Sequence, residues 1–214
     1  MTLEQIMRAG PVIPVLKVED PEIALSLAKA LVDGGLPVLE VTLRSDCALE
    51  VIAAMSEVKG AIVGVGTVVT PDQFMLARQA GAQFAVTPGL SPALIESAPD
   101  AGMPVLPGVM TPSELITAVE AGFGLLKLFP AQVAGGVAML KALSGPFAEV
   151  GFCPTGGVTT ANMLEFLAQP NVLCVGGSWL APDNMLQRKD WDGIKKLASD
   201  AVALSKTGGW NKVQ

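Results

Sequence analysis

The sequence predicts an α/β chain that folds as a (β/α)8 TIM barrel preceded by a short N-terminal helix. Three observations carry this reading. Short apolar runs rich in β-branched residues alternate with segments of helical periodicity. Glycines close successive helical segments at Gly35, Gly60, Gly81, Gly102 and Gly122, spaced 25, 21, 21 and 20 residues apart, a repeat that suits one strand–helix unit. Counting these units gives eight short apolar strands, which favours a closed parallel barrel covered by helices over an open doubly wound sheet.

Residues 2–8 read as the leading helix, and Val12-Ile13-Pro14-Val15-Leu16 as strand one. Asp20 and Pro21 open a helix with an N-cap and a proline at its first position, and Gly34-Gly35 ends it. Strand two is Pro37 to Leu43, followed by strands at Ala61–Thr67, Phe84–Thr87, Pro104–Leu106 and Leu125–Phe129. Helices start at Thr70-Pro71-Asp72, Ser91-Pro92 and Thr111-Pro112-Ser113-Glu114. A strand at Val150–Pro154, a helix from Thr159, a strand at Val172–Val175 and a helix from Asp190 to Ser205 complete the units. With no linker or low-complexity stretch in view, residues 1–214 read as a single domain, and Gly208-Gly209-Trp210 as a loosely held tail with Trp210 packed down.

Composition narrows the chemistry. Half the residues are hydrophobic, 16% are charged, and the net charge of −6 comes without a basic run, which argues against nucleic acid as a partner. No apolar run is long enough to span a bilayer, and Met1 to Gly10 lacks a secretory hydrophobic region, so no membrane partner is expected. Cys47, Cys153 and Cys174 show no metal or disulfide spacing, which fits a reducing, cytoplasmic setting. Histidine is absent altogether. That removes histidine acid–base catalysis, serine–histidine triads and histidine-ligated metals, leaving Asp, Glu, Lys or Cys as the possible general base.

One lysine stands inside an apolar strand. In Gly122 to Ala131 a strand places Leu125, Lys127 and Phe129 on one face and Leu126 and Leu128 on the other. Burial disfavours an ammonium, and a neutral amine can attack a ketone to form a Schiff base. The plainer reading is a strand-end lysine that reaches solvent or pairs with a carboxylate. Glu40 is the one carboxylate well inside an apolar strand, with Val38, Thr42 and Arg44 on its own face. It is either the proton shuttle beside Lys127 or a structural counter-ion.

The top of the barrel, at the C-terminal ends of the strands, is where chemistry belongs. Arg44 there suits a carboxylate or phosphate, and Thr67 could add a hydroxyl or cap a helix. Thr87-Pro88-Gly89 and Pro107-Gly108 end strands four and five, giving a ligand close approach or simply making turns. Thr155-Gly156-Gly157 and Gly176-Gly177-Ser178 end strands seven and eight, where backbone N–H groups often hold phosphate. Together they imply a phosphorylated small molecule bound across the barrel from Arg44. Lys17, a second strand-end lysine, reads as peripheral.

Gly35-Leu36-Pro37-Val38-Leu39-Glu40-Val41-Thr42-Leu43-Arg44 resembles the active-site glutamate motif of the 2-keto-3-deoxy-6-phosphogluconate (KDPG) aldolases. Gly122 through Ala131 resembles the same family's Schiff-base lysine motif, and Phe152 to Gly157 and Gly176 to Trp179 are also similar. The resemblance implies a homotrimeric class I aldolase that needs no metal or cofactor. It implies reversible cleavage of KDPG to pyruvate and glyceraldehyde 3-phosphate in the Entner–Doudoroff pathway, and of 4-hydroxy-2-oxoglutarate in some members. On this resemblance Lys127 forms the imine and Glu40 moves protons. Arg44 and Thr67 hold the pyruvate carboxylate, while Pro88 and Thr155 contact substrate. Gly156, Gly157, Gly176, Gly177 and Ser178 hold the phosphate.

Three alternatives stand beside it. One is an aldolase for the C4 epimer, 2-keto-3-deoxy-6-phosphogalactonate, against which the hydroxyls of Thr155 and Ser178 lean. The second is a phosphate-binding barrel isomerase or epimerase using Lys127 and Glu40 as acid and base. The third is a non-catalytic sugar-phosphate binder with a structural Lys127–Glu40 pair.

Overall fold

The computed structural model describes residues 1–210. Its strands are β1 (Val12–Leu16), β2 (Val38–Thr42), β3 (Ile62–Gly66), β4 (Phe84–Val86), β5 (Val105–Leu106), β6 (Gly108–Val109), β7 (Leu125–Leu128), β8 (Gly151–Pro154) and β9 (Val175–Gly177). All pairings are parallel and form two arcs, β5-β4-β3-β2-β1-β9 and β6-β7-β8. Pro107 joins the arcs on one side. On the other, bridges from Phe152 to Val172 and from Thr155 to Gly176 complete the (β/α)8 barrel.

The helices are α1 (Leu3–Met7), α2 (Ala24–Asp33), α3 (Ala48–Ser56), α4 (Asp72–Gln79), α5 (Pro92–Ser97), α6 (Pro112–Glu120), α7 (Gly136–Ser144), α8 (Met163–Leu167), α9 (Asp183–Gln187) and α10 (Trp191–Thr207). The five glycines that mark the repeat all have positive φ, between 65° and 101°, where a side chain would be strained.

Period-two alternation sorts each strand's side chains between two compartments. Leu39, Val41, Leu126 and Leu128 face the helices and join the large outer core. Val38, Phe84, Val86, Leu106 and Cys153 face inward, with Leu125 packed against them. Ile6 and Met7 of α1 pack into this inner cluster, closing the barrel's N-terminal end. Thr2 and Gln5 form a capping box that fixes α1, and burial of the two side chains contributes about 1.5–3 kcal/mol each.

Several boundaries differ from the sequence reading, for identifiable reasons. The fifth strand runs on past Leu106 but is cut into β5 and β6 by Pro107, which has no N–H for the ladder. The last strand begins at Val175 rather than Val172, and extends through Gly176 and Gly177 in register with Ile13 and Pro14. Glycine there is a packing requirement, since a Cβ at Gly176 would lie 2.2 Å from Thr155 Oγ1. Asp20 accepts from Glu22 N, but the segment it caps is a 3-10 turn, Pro21–Ile23, before α2 begins. Thr70 does not cap α4; Gln73 Oε1 instead accepts from the N–H groups of Val69 and Thr70. Asn162 Oδ1 likewise engages Thr159 N, delaying α8 to Met163. Trp210 does pack down, its indole N–H donating to Leu173 O at 3.0 Å.

Candidate active site

Glycines on β3, β6 and β9 let neighbouring groups into the barrel interior: a Cβ at Gly64, Gly66, Gly108 or Gly176 would meet Phe84, Glu40, the Thr87–Pro88 backbone or Thr155. Above the apolar plug a cavity of about 310 Å³ opens at the C-terminal ends of the strands.

Lys127 on β7 and Glu40 on β2 meet across its floor. Nζ donates to Oε1 at 3.2 Å, and the residues are only 5% and 3% exposed. Glu40 fits because Gly66 has no side chain: a Cβ there would lie 2.3 Å from Oε1. The Phe129 ring lies beside the amine, its centroid 5.3 Å from Nζ. Desolvating two ions costs several kcal/mol each, and one 3.2 Å bond does not return that, so the pair is a poor structural device. Opening onto a cavity, it has the form of a reactive one.

On one side of the pair lie Arg44, Thr67 and Pro88. Thr67 has φ 62°, a left-handed conformation uncommon for a β-branched residue and typical of strain held at a site. On the other side lie Thr155, Gly156, Gly157, Gly176, Gly177 and Ser178. Gly156 and Gly157 have φ of 97° and 79°, and a Cβ on Gly157 would meet Gln132 at 2.5 Å. The N–H groups of Gly156, Gly157 and Ser178 have no backbone acceptor among the described residues. A run of free N–H donors at a cavity rim is a ready anion cradle.

All eleven residues singled out in the sequence therefore line one cavity. Lys17 does not; it pairs with Glu19 and lines a separate cavity of about 350 Å³ with Asp183 and Lys189. Val15, Thr42, Phe129 and Val158 also line the Lys127 cavity without having been singled out. Strand parity with Lys127 and Glu40 signals Phe129 and Thr42; nothing in the sequence signals Val158.

Residues 3–197 match the family described as KDPG and KHG aldolase. The chain belongs to that family. It is 49% identical over 204 residues to the KHG/KDPG aldolase of Escherichia coli K12, an alignment covering 95% of this chain and 96% of the other. The 2-keto-3-deoxy-6-phosphogluconate aldolase of Zymomonas mobilis, solved with 3-phosphoglycerate, superimposes with a TM-score of 0.90 at 43% identity, covering 94% and 95% of the two chains. The KDPG aldolase of Legionella pneumophila, solved with pyruvate as a covalent carbinolamine, gives 0.91 at 42% identity over 94% and 98%. The chain joins its first and last barrel strands directly, Val12 pairing with Val175. No helix among the described residues is long and apolar enough to cross a membrane.

Proposed function

We propose that this chain is a class I aldolase that reversibly cleaves 2-keto-3-deoxy-6-phosphogluconate to pyruvate and glyceraldehyde 3-phosphate, and 4-hydroxy-2-oxoglutarate to pyruvate and glyoxylate. The observation that carries the reading is the buried Lys127–Glu40 pair, 3.2 Å apart in a cavity with a guanidinium on one side and free backbone N–H groups on the other. The names of the relatives support the substrate, and the covalent pyruvate in the Legionella enzyme supports the chemistry.

In this reading Lys127 passes a proton to Glu40 and attacks the C2 ketone. Glu40 returns that proton to the carbinolamine hydroxyl, which leaves as water and gives a protonated imine, the electron sink for the next step, with Glu40 again a carboxylate. Glu40 removes the C4 hydroxyl proton, the C3–C4 bond breaks, and its electron pair moves into the imine to leave an enamine. The aldehyde departs, Glu40 returns the proton to C3, and hydrolysis releases pyruvate and the free amine. Arg44 and Thr67 hold the carboxylate, Pro88 and Thr155 flank the cleaved bond, and Gly156, Gly157, Gly176, Gly177 and Ser178 hold the phosphate.

The test is to incubate the protein with pyruvate, reduce with borohydride and measure its mass. A stable adduct mapping to Lys127, and lost in Lys127→Ala, is expected. Absence of an adduct would overturn the reading and favour acid–base isomerase chemistry. Cleavage rates for the two C4 epimers test the galactonate alternative, which the names of the relatives do not favour.

The reading extends to a cytoplasmic homotrimer whose subunit is one domain spanning residues 1–214. Direct pairing of β1 with β9 supports the single domain. Exposed Val69, Leu76, Met110, Ile116, Val119 and Val133, in the segments that follow β3, β6 and β7, support association between copies. Equilibrium sedimentation at three times the subunit mass is the expected outcome.

A further inference from the structure

We infer that Thr42 is a positioning residue, which aims the Arg44 guanidinium at the carboxylate of the bound keto acid. This rests on the aldolase reading, in which Arg44 holds that carboxylate. Thr42 is the last residue of β2, 1% exposed, on the same face as Glu40. Its hydroxyl donates to Leu16 O at 2.8 Å, tying the end of β2 to the end of β1. A hydroxyl has a single proton, so toward Arg44 it acts as an acceptor, and Arg44 Nε donates to it at 3.0 Å. The direction of both bonds is thereby fixed.

Arg44 needs such a tether. It is exposed beyond the end of the strand and makes no ion pair among the described residues. A free arginine there would sample many rotamers, and binding would have to order it. Engaging Nε on a buried, doubly bonded hydroxyl orders the side chain in advance and leaves both terminal Nη groups for a carboxylate, a pre-organised fork. Valine has the shape of threonine and can do neither job.

The experiment measures the initial rate of borohydride trapping at Lys127 as a function of pyruvate concentration, in the wild type, Thr42→Val and Thr42→Ser. In Thr42→Val the half-saturating pyruvate concentration is expected to rise about tenfold, as for loss of one charge-assisted hydrogen bond, with the limiting rate within about twofold of wild type. Thr42→Ser, which keeps the hydroxyl, should stay within about twofold on both measures. Thr42→Ala deletes the same hydroxyl and makes the same comparison if Thr42→Val does not fold. An unchanged half-saturation on loss of the hydroxyl, an equal loss in Thr42→Ser, or a fall in limiting rate alone would overturn the inference. No adduct in the wild type would overturn the aldolase reading, and this inference with it; an adduct with unchanged saturation in the variants sinks the role of Thr42 alone.

Discussion

Gly66 makes room for the Glu40 carboxylate. Gly66 lies on the neighbouring strand opposite Thr42, two residues beyond Glu40's partner Gly64, and a Cβ on it would lie 2.3, 2.7 and 2.8 Å from Oε1, Cγ and Cδ of Glu40. The φ of Gly66 is not positive, so its backbone accepts an L-residue and only the space is lacking. The position of the Glu40 carboxylate is thus set by an atom that is missing from the neighbouring strand.

Gly66→Ala should therefore act on chemistry before stability. Displacing Glu40 from Lys127 by about 1 Å is expected to cost on the order of 100-fold in kcat/KM. Glu40→Gln, which keeps the shape but not the base, should cost at least as much, on the order of 100- to 10,000-fold. Steady-state cleavage assays with thermal unfolding in parallel make the check. A full-activity Gly66→Ala protein would show that the carboxylate position is not critical.

The free N–H groups proposed to hold the phosphate predict a split between substrates. Ser178 is exposed at the cavity rim beside Gly177. Ser178→Asp puts a negative charge where the phosphate is expected, so KM for the phosphorylated substrate should rise tenfold or more. KM for 4-hydroxy-2-oxoglutarate, which has no phosphate, should move less than about threefold. Equal effects on both substrates would place the phosphate elsewhere.

Much of this arrangement was legible because it follows from period-two alternation and from elimination. Parity put Glu40 and Lys127 on inward faces, and the lack of histidine narrowed the bases to a few residues. What went unassigned lacked a local signature. The helix closed by Gly60 was legible, but the starts of α3, α7 and α9 have no side-chain cap hydrogen bond; α7 opens instead on left-handed Gly135 and Gly136. The β-structure of Gly176 and Gly177 is imposed by pairing with β1 and by Thr155 and Trp179, whose positions no local propensity encodes. The left-handed Thr67 is likewise invisible in the sequence, because threonine does not advertise positive φ.

The capping box of α6 predicts a pH-dependent stability. Burial raises the affinity of Glu114 for a proton, but the N–H groups of Met110 and Thr111, 2.7 and 2.8 Å from Oε2, and the Thr111 hydroxyl outweigh it and hold the carboxyl below its ordinary value of 4.5. A carboxyl lowered on folding stabilises the native state above its unfolded value. That contribution is lost as pH falls through the lower, folded value. Glu114→Gln should therefore lower Tm slightly at pH 7, by roughly a degree because solvent screens the exposed carboxylate, with the gap closing as pH falls from 4.5 through the lower, folded value. A gap of constant size across that range would mean that the charge is not its source.

Two of the three thiols should be chemically silent. Cys153 and Cys174 are buried inside the barrel, and Cys153 lies in register with Lys127. The hydrogen bond the Cys174 thiol gives to Cys153, burial and the nearby Glu40 carboxylate push that thiol well above its ordinary value of 9.0, against an opposing pull from Arg8. A protonated thiol is a poor nucleophile, and neither is open to reagent. Cys47 is half-buried, its Sγ–H donating to Val18 O at 3.4 Å, outside the barrel interior. Iodoacetamide at pH 8 should add at most one group to the native protein, at Cys47, and three after denaturation, by intact mass and peptide mapping. The singly labelled protein should keep its cleavage activity, because Cys47 does not line the Lys127 cavity. Rapid labelling of Cys153 in the native state would instead mean that the cavity floor opens to solvent, and that Lys127 and Glu40 are less sheltered than their burial indicates.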